Sequence, residues 1–598
     1  MLKEINIDLL KKMNINELNN LAKEIREKIL TTVSNNGGHL ASNLGIVELT
    51  IALHYVFSSP FDKIIFDVSH QTYAHKIITN RLDQFDTIRL ENGISGFAKM
   101  NESEHDVFEA GHSSTSISAG LGFLEAKKDH PNEIGEVIAV VGDASIVNGL
   151  CFEALNYLGD HQNQKMIIIV NDNNMSVSKN VGALAKRYNK LRTSRSLNWL
   201  KKLVPIRIKH AMQYYAYKVD TFTSFGFKYF ENIDGHDISQ LIKYLSYAKN
   251  YSKSIVLHVK TSKGKGYSFA ENDEIGFYHG LGPFNLETGK LKKEPTNITY
   301  GEAIANRLIA LTKEDDSIKV ICPAMILGCG LLEYQKQYPN HTIDVGIAEE
   351  NAVVMAASMA VNKLKPIVFM YSTFIQRSFD EIMHDIARTN QHVVFCIDHA
   401  GIVPGDGNTH QGIYDLSMFN IIPGITILEP SSQLDAEEMI EFALNKMTTP
   451  VVIRYPKGSS LIGESNFSPD LKWKVLKESE INKYIITYGP DLIKINNRID
   501  EIDNIGLVDA YSINPIDELF LTSHNHSTLY VYEEVIRNGS LASIMNDFIQ
   551  NLKLNINIIS ITLPNCYVDE GTVDEIKKRY NITIDDLFKT IKEGDRQC

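Results

Sequence analysis

The stretch VIAVVGDASIVNGLCFEALNYL, residues 137–158, decides the fold of this chain. An apolar run rich in β-branched residues enters a Gly-Asp-Ala turn, and apolar residues at helical spacing follow the turn. A near-continuous apolar run of this kind predicts a parallel strand that is buried on both faces. At the end of that strand, Asp143 either caps the turn or holds a ligand.

The same pattern recurs in three successive parts of the chain, each with apolar runs that alternate with helical or loop segments. These runs are KIIFDV, GEVIAVVGD and KMIIIVND; then PIVFM, HVVFCID, GITILEP and VVIRYP; and finally KYIITYG, NIGLVDA, TLYVYEE and NINIISI. This alternation predicts three consecutive doubly wound α/β domains. Polar junctions rich in Gly and Pro at 280–297 and 455–473 divide them into domains at 1–290, 297–457 and 470–598.

One part of the first domain does not follow this pattern. Residues 183–215 are basic and carry few strand signals, and we interpret them as an excursion or a mobile helical segment.

Composition narrows the class of protein. The 598 residues carry a formal net charge of −13, which argues against a surface built to bind nucleic acid. No apolar run approaches the roughly 18 residues of a membrane-spanning helix. The six cysteines form no C-x-x-C pair, and the N-terminus lacks the apolar stretch of a secretory signal. We therefore expect a soluble cytoplasmic protein.

Two polar strand ends suggest a ligand site. Asp143 follows one predicted strand and Asn173 follows the next, and neighbouring parallel strands bring their carboxyl ends to one edge of the sheet. Carboxylate and amide oxygens suit Mg²⁺, which completes its coordination with water and phosphate oxygens. Ser145 and the helix that follows are placed to donate to a diphosphate. An ordinary Asp cap and Asn turn remain the alternative.

Six motifs together resemble a known family. They are GGHLASNLG (37–45), DVSHQTYAHKI (67–77), GHSSTSISAGLG (111–122), VGIAEENAV (345–353), YSTFIQRSFDEIMHD (371–385) and GIVPGDGNTHQGIYDLS (401–417). In this order they resemble the transketolase-like thiamine-diphosphate enzymes, from about residue 30 to 460 and more weakly beyond. Within that group they are most similar to the enzymes that join pyruvate to D-glyceraldehyde 3-phosphate with loss of CO₂.

The resemblance implies an activity and an assembly. It implies a transferase of aldehyde or ketone residues that uses thiamine diphosphate and Mg²⁺ and acts as a homodimer. The cofactor is expected between the first two domains, and the third is expected to contribute to the dimer. Two alternatives stay open: a transketolase or other carboligase with a different acceptor, and a noncatalytic relative that binds the cofactor.

The resemblance also assigns residues to the cofactor. The metal ligands implied are the side chains of Asp143 and Asn173 and the main-chain carbonyl of Met175. The resemblance further implies that the cofactor site is lined by His70, Gly111, His112, Ser113, Ala144, Ser145, Asn173, Lys263, Tyr267 and Phe374. Glu349 is expected to contact N1′ of the aminopyrimidine, although a carboxylate at a helix start has an ordinary explanation in the helix dipole.

The remaining assignments concern the reactants. His39, His279 and His410 are candidates for proton transfer, since an imidazole titrates near neutral pH. Asp406 would hold an acceptor hydroxyl or orient His410, while Tyr371 and Arg377 belong to a stretch that resembles the acceptor pocket of the family. The family usually presents two arginines to the sugar phosphate, but this chain has His399 and Lys457 at those positions.

Milder departures from the family pattern lie near the cofactor. Ala144 replaces the glycine of Gly-Asp-Gly, Ser69 replaces a glycine before His70, and Glu350-Asn351 stands in place of Gln-His. These changes remove no implied metal ligand and leave Glu349 in place. Acceptor specificity is therefore the property that the departures put in question.

Overall fold

The computed structural model describes residues 2–161, 163–173 and 221–596, and the chain divides into two compact units, Met1–Lys293 and Glu294–Cys598. The predicted segment 183–215 and Met175 lie outside the described residues. In the described part of the chain, no helix combines the length and the apolarity that crossing a membrane would require.

The first unit contains a five-stranded sheet in which every strand pair is parallel. Its order is β1-β2-β3-β5-β4. The strands are β1 (Lys63–Phe66), β2 (Val137–Gly142), β3 (Ile167–Asp172), β4 (Lys228–Asp234) and β5 (Ile255–Lys260). The helices are α1 (Ile7–Leu10), α2 (Ile15–Asn36), α3 (Ala41–Gly45), α4 (Val47–Val56), α5 (Tyr73–Lys76), α6 (Ser116–Asp129), α7 (Gly149–Asp160), α8 (Thr221–Ser224), α9 (Ile238–Asn250) and α10 (Ser268–Glu271).

Both faces of this sheet are covered by helices. Successive residues of a strand point to opposite faces, so in β2 Ile138 packs with α4 and α9 while Ala139 packs with α6 and α7. Burial on both faces explains why the strands read as continuous apolar runs.

The second unit contains two sheets. The first has the order β15-β10-β11-β9-β8-β6-β7 and the second has the order β12-β14-β13-β16-β17. All pairs are parallel except those made by β15 and β12. The strands are β6 (Ile318–Cys322), β7 (Thr342–Asp344), β8 (Lys365–Tyr371), β9 (Val394–Asp398), β10 (Thr426–Leu428), β11 (Val451–Arg454), β12 (Lys474–Lys477), β13 (Lys483–Thr487), β14 (Gly506–Asp509), β15 (Ser512–Asn514), β16 (Thr528–Ile536) and β17 (Asn557–Leu563).

Helices of the second unit pack on these sheets, and several begin with reciprocal side-chain caps. Thr299 with Glu302, Ser432 with Asp435 and Thr572 with Glu575 form capping boxes. The helices are α11 (Tyr300–Glu314), α12 (Leu332–Gln337), α13 (Glu349–Val361), α14 (Phe379–Glu381), α15 (Asp415–Phe419), α16 (Gln433–Asn445), α17 (Pro490–Asn496), α18 (Glu518–Ser523), α19 (Leu541–Leu552), α20 (Val573–Arg579) and α21 (Ile584–Arg596).

The two sheets of this unit share one hydrophobic core. Val368 and Phe395 from the first sheet belong to the same buried cluster as Val508 and Val531 from the second. The strand β15, which follows β14 of the second sheet in the chain, pairs antiparallel with β10 of the first sheet. The predicted fold class, consecutive α/β domains built on doubly wound parallel sheets, is confirmed.

Candidate active site

In the first unit, two of the three candidate metal ligands, Asp143 and Asn173, lie at one edge of the sheet. Asp143 directly follows β2 and Asn173 directly follows β3, and these strands are paired in parallel. The Asp143 amide donates to the carbonyl of Asn171 at 3.1 Å, which ties the turn to the end of the neighbouring strand. Two oxygen-bearing side chains thus follow adjacent strand ends, where doubly wound sheets bind ligands.

A buried cation accompanies these residues. Lys263 is 8% exposed, and burial lowers its pKa to about 8, while the negative charges of Asp273 and Asp143 act in the opposite direction. A lysine that is partly desolvated and lies in the field of Asp143 is suited to hold an anion.

Asp67, to which sequence reasoning gave no role, ties three segments together. It follows β1 and is 1% exposed, and its two carboxylate oxygens accept from the backbone amides of Ser114 at 2.8 Å and Ser116 at 3.1 Å. The Ser114 hydroxyl donates to the carbonyl of Ser145 at 3.0 Å. Asp67 therefore holds the loop 111–116, which carries the predicted cofactor residues Gly111, His112 and Ser113, against the turn that follows β2.

Three candidate histidines form a compact cluster. The ring centroids of His39 and His70 lie 5.2 Å apart, those of His39 and His279 lie 5.6 Å apart, and those of His70 and His279 lie 5.3 Å apart. The buried Asn43 supports them, since its Nδ2 donates to the carbonyls of His39 at 2.6 Å and His70 at 2.8 Å. Its Oδ1 accepts from the amide of Tyr73 at 2.9 Å.

The loop that carries His70 has unusual backbone geometry. Val68 and Ser69 have φ values of 61° and 69°, a region that residues other than glycine seldom occupy and that is especially rare for a β-branched residue such as Val68. The Ser69 hydroxyl accepts from the amide of Ala98 at 3.0 Å, and its carbonyl accepts from the Thr72 hydroxyl at 2.7 Å. Such strain persists where surrounding contacts determine the conformation, and it is common at functional sites.

Tyr267, another predicted cofactor residue, makes its hydrogen bond and its ring contacts within the protein. Its hydroxyl donates to the carbonyl of Leu286 at 3.0 Å, and burial raises its pKa to about 12. Its ring packs against Tyr278 and Phe284. These contacts give Tyr267 a packing role in addition to the predicted one.

In the second unit, Glu349 is a buried acid at the start of α13. The residue is 5% exposed, and burial raises the pKa of its carboxyl, while the positive charge of Arg377 opposes the shift. Arg377 Nη1 lies 3.9 Å from Glu349 Oε2, and this oxygen accepts no hydrogen bond from the part of the chain that the structure describes. A carboxyl in this state is able to share a proton with an approaching ring nitrogen.

An aromatic stack lines the neighbouring strand ends. Tyr371 ends β8, and its ring lies nearly parallel to those of Phe374 at 5.6 Å and His399 at 3.8 Å. His410 meets the edge of Phe374 at 5.7 Å between ring centroids. The stack brings together four of the residues that the sequence assigns to the cofactor or to the acceptor.

His399 is held by the preceding residue. Its backbone amide and its Nδ1 contact Asp398 Oδ1 at 2.6 and 2.8 Å, and its φ is 59°. Because a carboxylate only accepts, Nδ1 donates, and the neutral ring presents an acceptor at Nε2. Burial lowers the pKa of His399 although the charge of Asp398 opposes this, so the ring is neutral at pH 7.

Lys457, the second residue at the predicted phosphate position, lies near an acid. Its Nζ is 3.6 Å from Asp406 Oδ2, and its side chain is 38% exposed. Part of its charge is therefore balanced within the protein.

Comparison with known proteins agrees with this arrangement. The layered parallel sheets and the residues at their carboxyl edges define a transketolase-like α/β enzyme, and the family model described as the pyrimidine-binding domain of transketolase matches residues 296–460. The model described as 1-deoxy-D-xylulose-5-phosphate synthase matches residues 2–261.

Curated relatives extend the similarity to nearly the whole chain. The 1-deoxy-D-xylulose-5-phosphate synthases of Macrococcus caseolyticus and Listeria welshimeri are each 39% identical over 98% of this chain, covering 97% and 96% of their own lengths. That of Carboxydothermus hydrogenoformans is 40% identical over 98% of this chain and 97% of its own. This chain belongs to the 1-deoxy-D-xylulose-5-phosphate synthase family.

Proposed function

We propose that this chain joins pyruvate to D-glyceraldehyde 3-phosphate with release of CO₂ and forms 1-deoxy-D-xylulose 5-phosphate. The reaction would use thiamine diphosphate and Mg²⁺, in a homodimer. The product would be the first intermediate of the non-mevalonate isoprenoid route and a precursor of thiamine and pyridoxal. Family membership over nearly the full chain supports this proposal.

The observation that carries it is the state of Glu349. Bound thiamine diphosphate supplies a thiazolium that acts as an electron sink for the carbanion left by decarboxylation. Such a cofactor needs a carboxyl that exchanges a proton with its aminopyrimidine. The Glu349 carboxyl fits this need, because it is buried, its pKa is raised and its Oε2 accepts no hydrogen bond from any described residue.

The strand-end residues of the first unit fit the diphosphate and its metal. Asp143 and Asn173 offer the hard oxygen ligands that Mg²⁺ prefers. Lys263 would add positive charge, and the loop held by Asp67 would offer the Ser113 hydroxyl and backbone amides.

The histidines fit the handling of protons on the reactants. His39, His70 and His279 lie ring against ring. His39 and His279 would bind the carbonyl oxygen of a reactant and transfer protons near neutral pH. In the second unit, His410 and Asp406 would act on the acceptor.

A second candidate function is carboligation with a different aldehyde. Two residues favour it. The His399 ring is neutral at pH 7, and the Lys457 ammonium lies 3.6 Å from Asp406, so neither presents a full positive charge to a phosphate. A guanidinium pair would bind a phosphate more strongly than these two groups do.

The test is product identification from pyruvate with a panel of phosphorylated and unphosphorylated aldehydes. Formation of 1-deoxy-D-xylulose 5-phosphate with equimolar CO₂ supports the proposal, whereas ketose-phosphate consumption without CO₂ would contradict it. Glu349→Gln should abolish turnover, while Glu350→Gln, a change of the same type one residue along, should retain it. Calorimetric titration of thiamine diphosphate with and without Mg²⁺ tests the metal independently of turnover.

A further inference from the structure

The loop 401–412 carries Asp406 and His410, and one buried amide occupies its interior. The ends of the loop pair with each other, since the Gly401 amide donates to the Gly412 carbonyl at 2.8 Å and the reverse bond measures 3.0 Å. Gln411, which is 1% exposed, points its side chain into this closed loop.

We propose that Gln411 is a positioning residue that holds Asp406 and His410 in place, and that the C-terminal domain braces the loop through it. This inference rests on the proposed function, which assigns those two residues to the acceptor.

Gln411 holds the loop on both sides of Asp406. Its Oε1 accepts from the amide of Val403 at 2.9 Å, and its Nε2 donates to the carbonyls of Val403 at 3.1 Å and Gly407 at 3.3 Å. One oxygen that accepts and one nitrogen that donates also fix which way the amide is turned. A buried amide that is satisfied in this way makes the loop rigid.

The same amide reaches the C-terminal domain. Nε2 of Gln411 also approaches the carbonyl of Val568 at 3.5 Å. Val568 belongs to the segment 566–571, which lies between β17 and α20. The interior of the loop is thereby linked to a part of the chain more than a hundred residues away in sequence.

Further contacts join the segment 566–571 to the loop. The Gly405 amide donates to the Gly571 carbonyl at 3.1 Å, and the hydroxyl of Tyr414, two residues beyond the loop, donates to the Cys566 carbonyl at 3.0 Å. These bonds engage both ends of the segment, so the C-terminal domain contacts the loop at Gly405 and the chain just beyond its end at Tyr414.

Glycine at position 407 permits this close approach. Gly407 has a φ of 65°, and a Cβ atom there would lie 2.5 Å from Glu570 Oε1. A side chain at position 407 would therefore adopt a strained backbone conformation and would displace the Glu570 carboxylate.

The position of the loop determines where the reactive groups stand. His410 Nδ1 lies 2.8 Å from the hydroxyl of Thr409 in the same loop, and Asp406 Oδ2 lies 3.6 Å from Nζ of Lys457, which is outside the loop. A shift of the loop would therefore change where both side chains stand and would alter the contact between Asp406 and Lys457. A displacement of about 1 Å in a reacting group can lower the rate by about 100-fold.

Gln411→Glu removes the hydrogen bonds that Nε2 of Gln411 donates and keeps the size and shape of the side chain. The carboxylate still accepts from the Val403 amide, but it cannot donate to the three carbonyls and places a negative oxygen against them. Tyr414→Phe removes only the hydroxyl bond to Cys566. Gln391→Glu is the matched control, because the Gln391 amide donates to the Thr389 carbonyl in a solvent-exposed contact.

We expect Gln411→Glu to lower kcat/KM for the aldehyde by about 10- to 100-fold, with the KM for pyruvate changed less than about threefold. Tyr414→Phe should act in the same direction more weakly, and Gln391→Glu should have no effect. A purely structural role would reduce the active fraction and thus the rates with both substrates equally, so that result would overturn the inference. If Gln411→Glu does not fold, an unchanged aldehyde KM in Tyr414→Phe overturns it.

The variant Asp406→Ala separates this inference from the proposed function. If Asp406→Ala leaves the kinetics with the aldehyde unchanged, the acceptor role itself is wrong. If Asp406→Ala impairs them and Gln411→Glu does not, the role of Asp406 stands and the positioning role of Gln411 is refuted.

Discussion

Asp67→Asn tests whether the cofactor loop is held from the end of β1. The wild-type carboxylate accepts from the amides of Ser114 and Ser116 at 2.8 and 3.1 Å while it is 1% exposed. Asparagine keeps one oxygen for one amide and turns an NH₂ group toward the other. The loop 111–116 would then lose one tether, and a buried donor would face another donor.

The magnitude follows from these contacts. A hydrogen bond to a charged group contributes about 1.5–3 kcal/mol to the free energy of unfolding, so the loss of one should cost about that much. If binding of thiamine diphosphate must restore the loop, most of this cost appears in the affinity. At about 1.4 kcal/mol for each factor of ten, the dissociation constant should rise about 10- to 100-fold.

Asp62→Asn is a control of the same kind at the other end of the strand. Asp62 is 3% exposed, precedes β1, and accepts from the amides of Ser58 and Glu136, each at 2.7 Å. This substitution should lower the free energy of unfolding by a similar amount, but it lies away from the carboxyl edge of the sheet and should leave the affinity unchanged.

The assay is thermal unfolding of both variants together with titration of thiamine diphosphate in the presence of Mg²⁺. The reasoning is refuted if both variants lose affinity equally, or if Asp67→Asn unfolds at a lower temperature and still binds the cofactor as the wild type does.

Three further predictions concern pH. Because burial lowers the pKa of Lys263 to about 8, the affinity for the cofactor should weaken as the pH rises through that value. Lys263→Met should remove this pH dependence in a binding titration. A pH dependence that persists in the variant would contradict the role of Lys263. Burial raises the pKa of Glu349 above 4.5, so the folded state binds more protons than the unfolded chain and the free energy of unfolding falls as pH rises above 4.5. Glu349→Gln should flatten that slope in thermal melts, and an unaltered slope would show that the carboxyl does not cause it. Because His399 is neutral at pH 7, lowering the pH should lower the KM for a phosphorylated acceptor, and so should His399→Arg at pH 7. Lys457→Ala should raise the KM for the same acceptor. Equal changes in the KM for pyruvate would refute the phosphate role of these two residues.

The sequence predicted the elements that carry a local signal. Apolar runs such as VIAVVG and MIIIV became β2 and β3 because strands covered on both faces require continuous apolar residues. The candidate residues His39, His70 and His279 lie together, although no spacing rule brings residues 39 and 279 into contact. That proximity followed only from the resemblance.

The sequence could not predict the residues that support the site. Asp67 binds amides 47 and 49 positions away, and the Gln411 amide meets a carbonyl 157 positions away. Both residues lie inside quoted motifs, 67–77 and 401–417, but a motif does not show which distant backbone groups a side chain contacts. A tertiary contact of this kind has no local signal, because the backbone groups that it uses occur at every position.

Short strands escaped prediction for a related reason. The strands β7 and β15 have three residues each, and β15 contains a serine and an asparagine. Neither has the length or the apolar character that distinguishes a strand from a loop. Their strand conformation depends on neighbours that are already in place.

The pairing of β15 with β10 has a consequence for any attempt to isolate the middle domain. A fragment that ends near residue 460 would contain β10 but not β15, and the backbone groups of β10 that bond Ser512 and Asn514 would face solvent. An open strand edge is a template for pairing with other chains. Such a fragment would also expose the half of the shared core that Val508 and Val531 cover. If the fragment self-associates, the second and third predicted domains fold as one cooperative unit, and cutting the chain at the linker between them does not yield two independently stable domains.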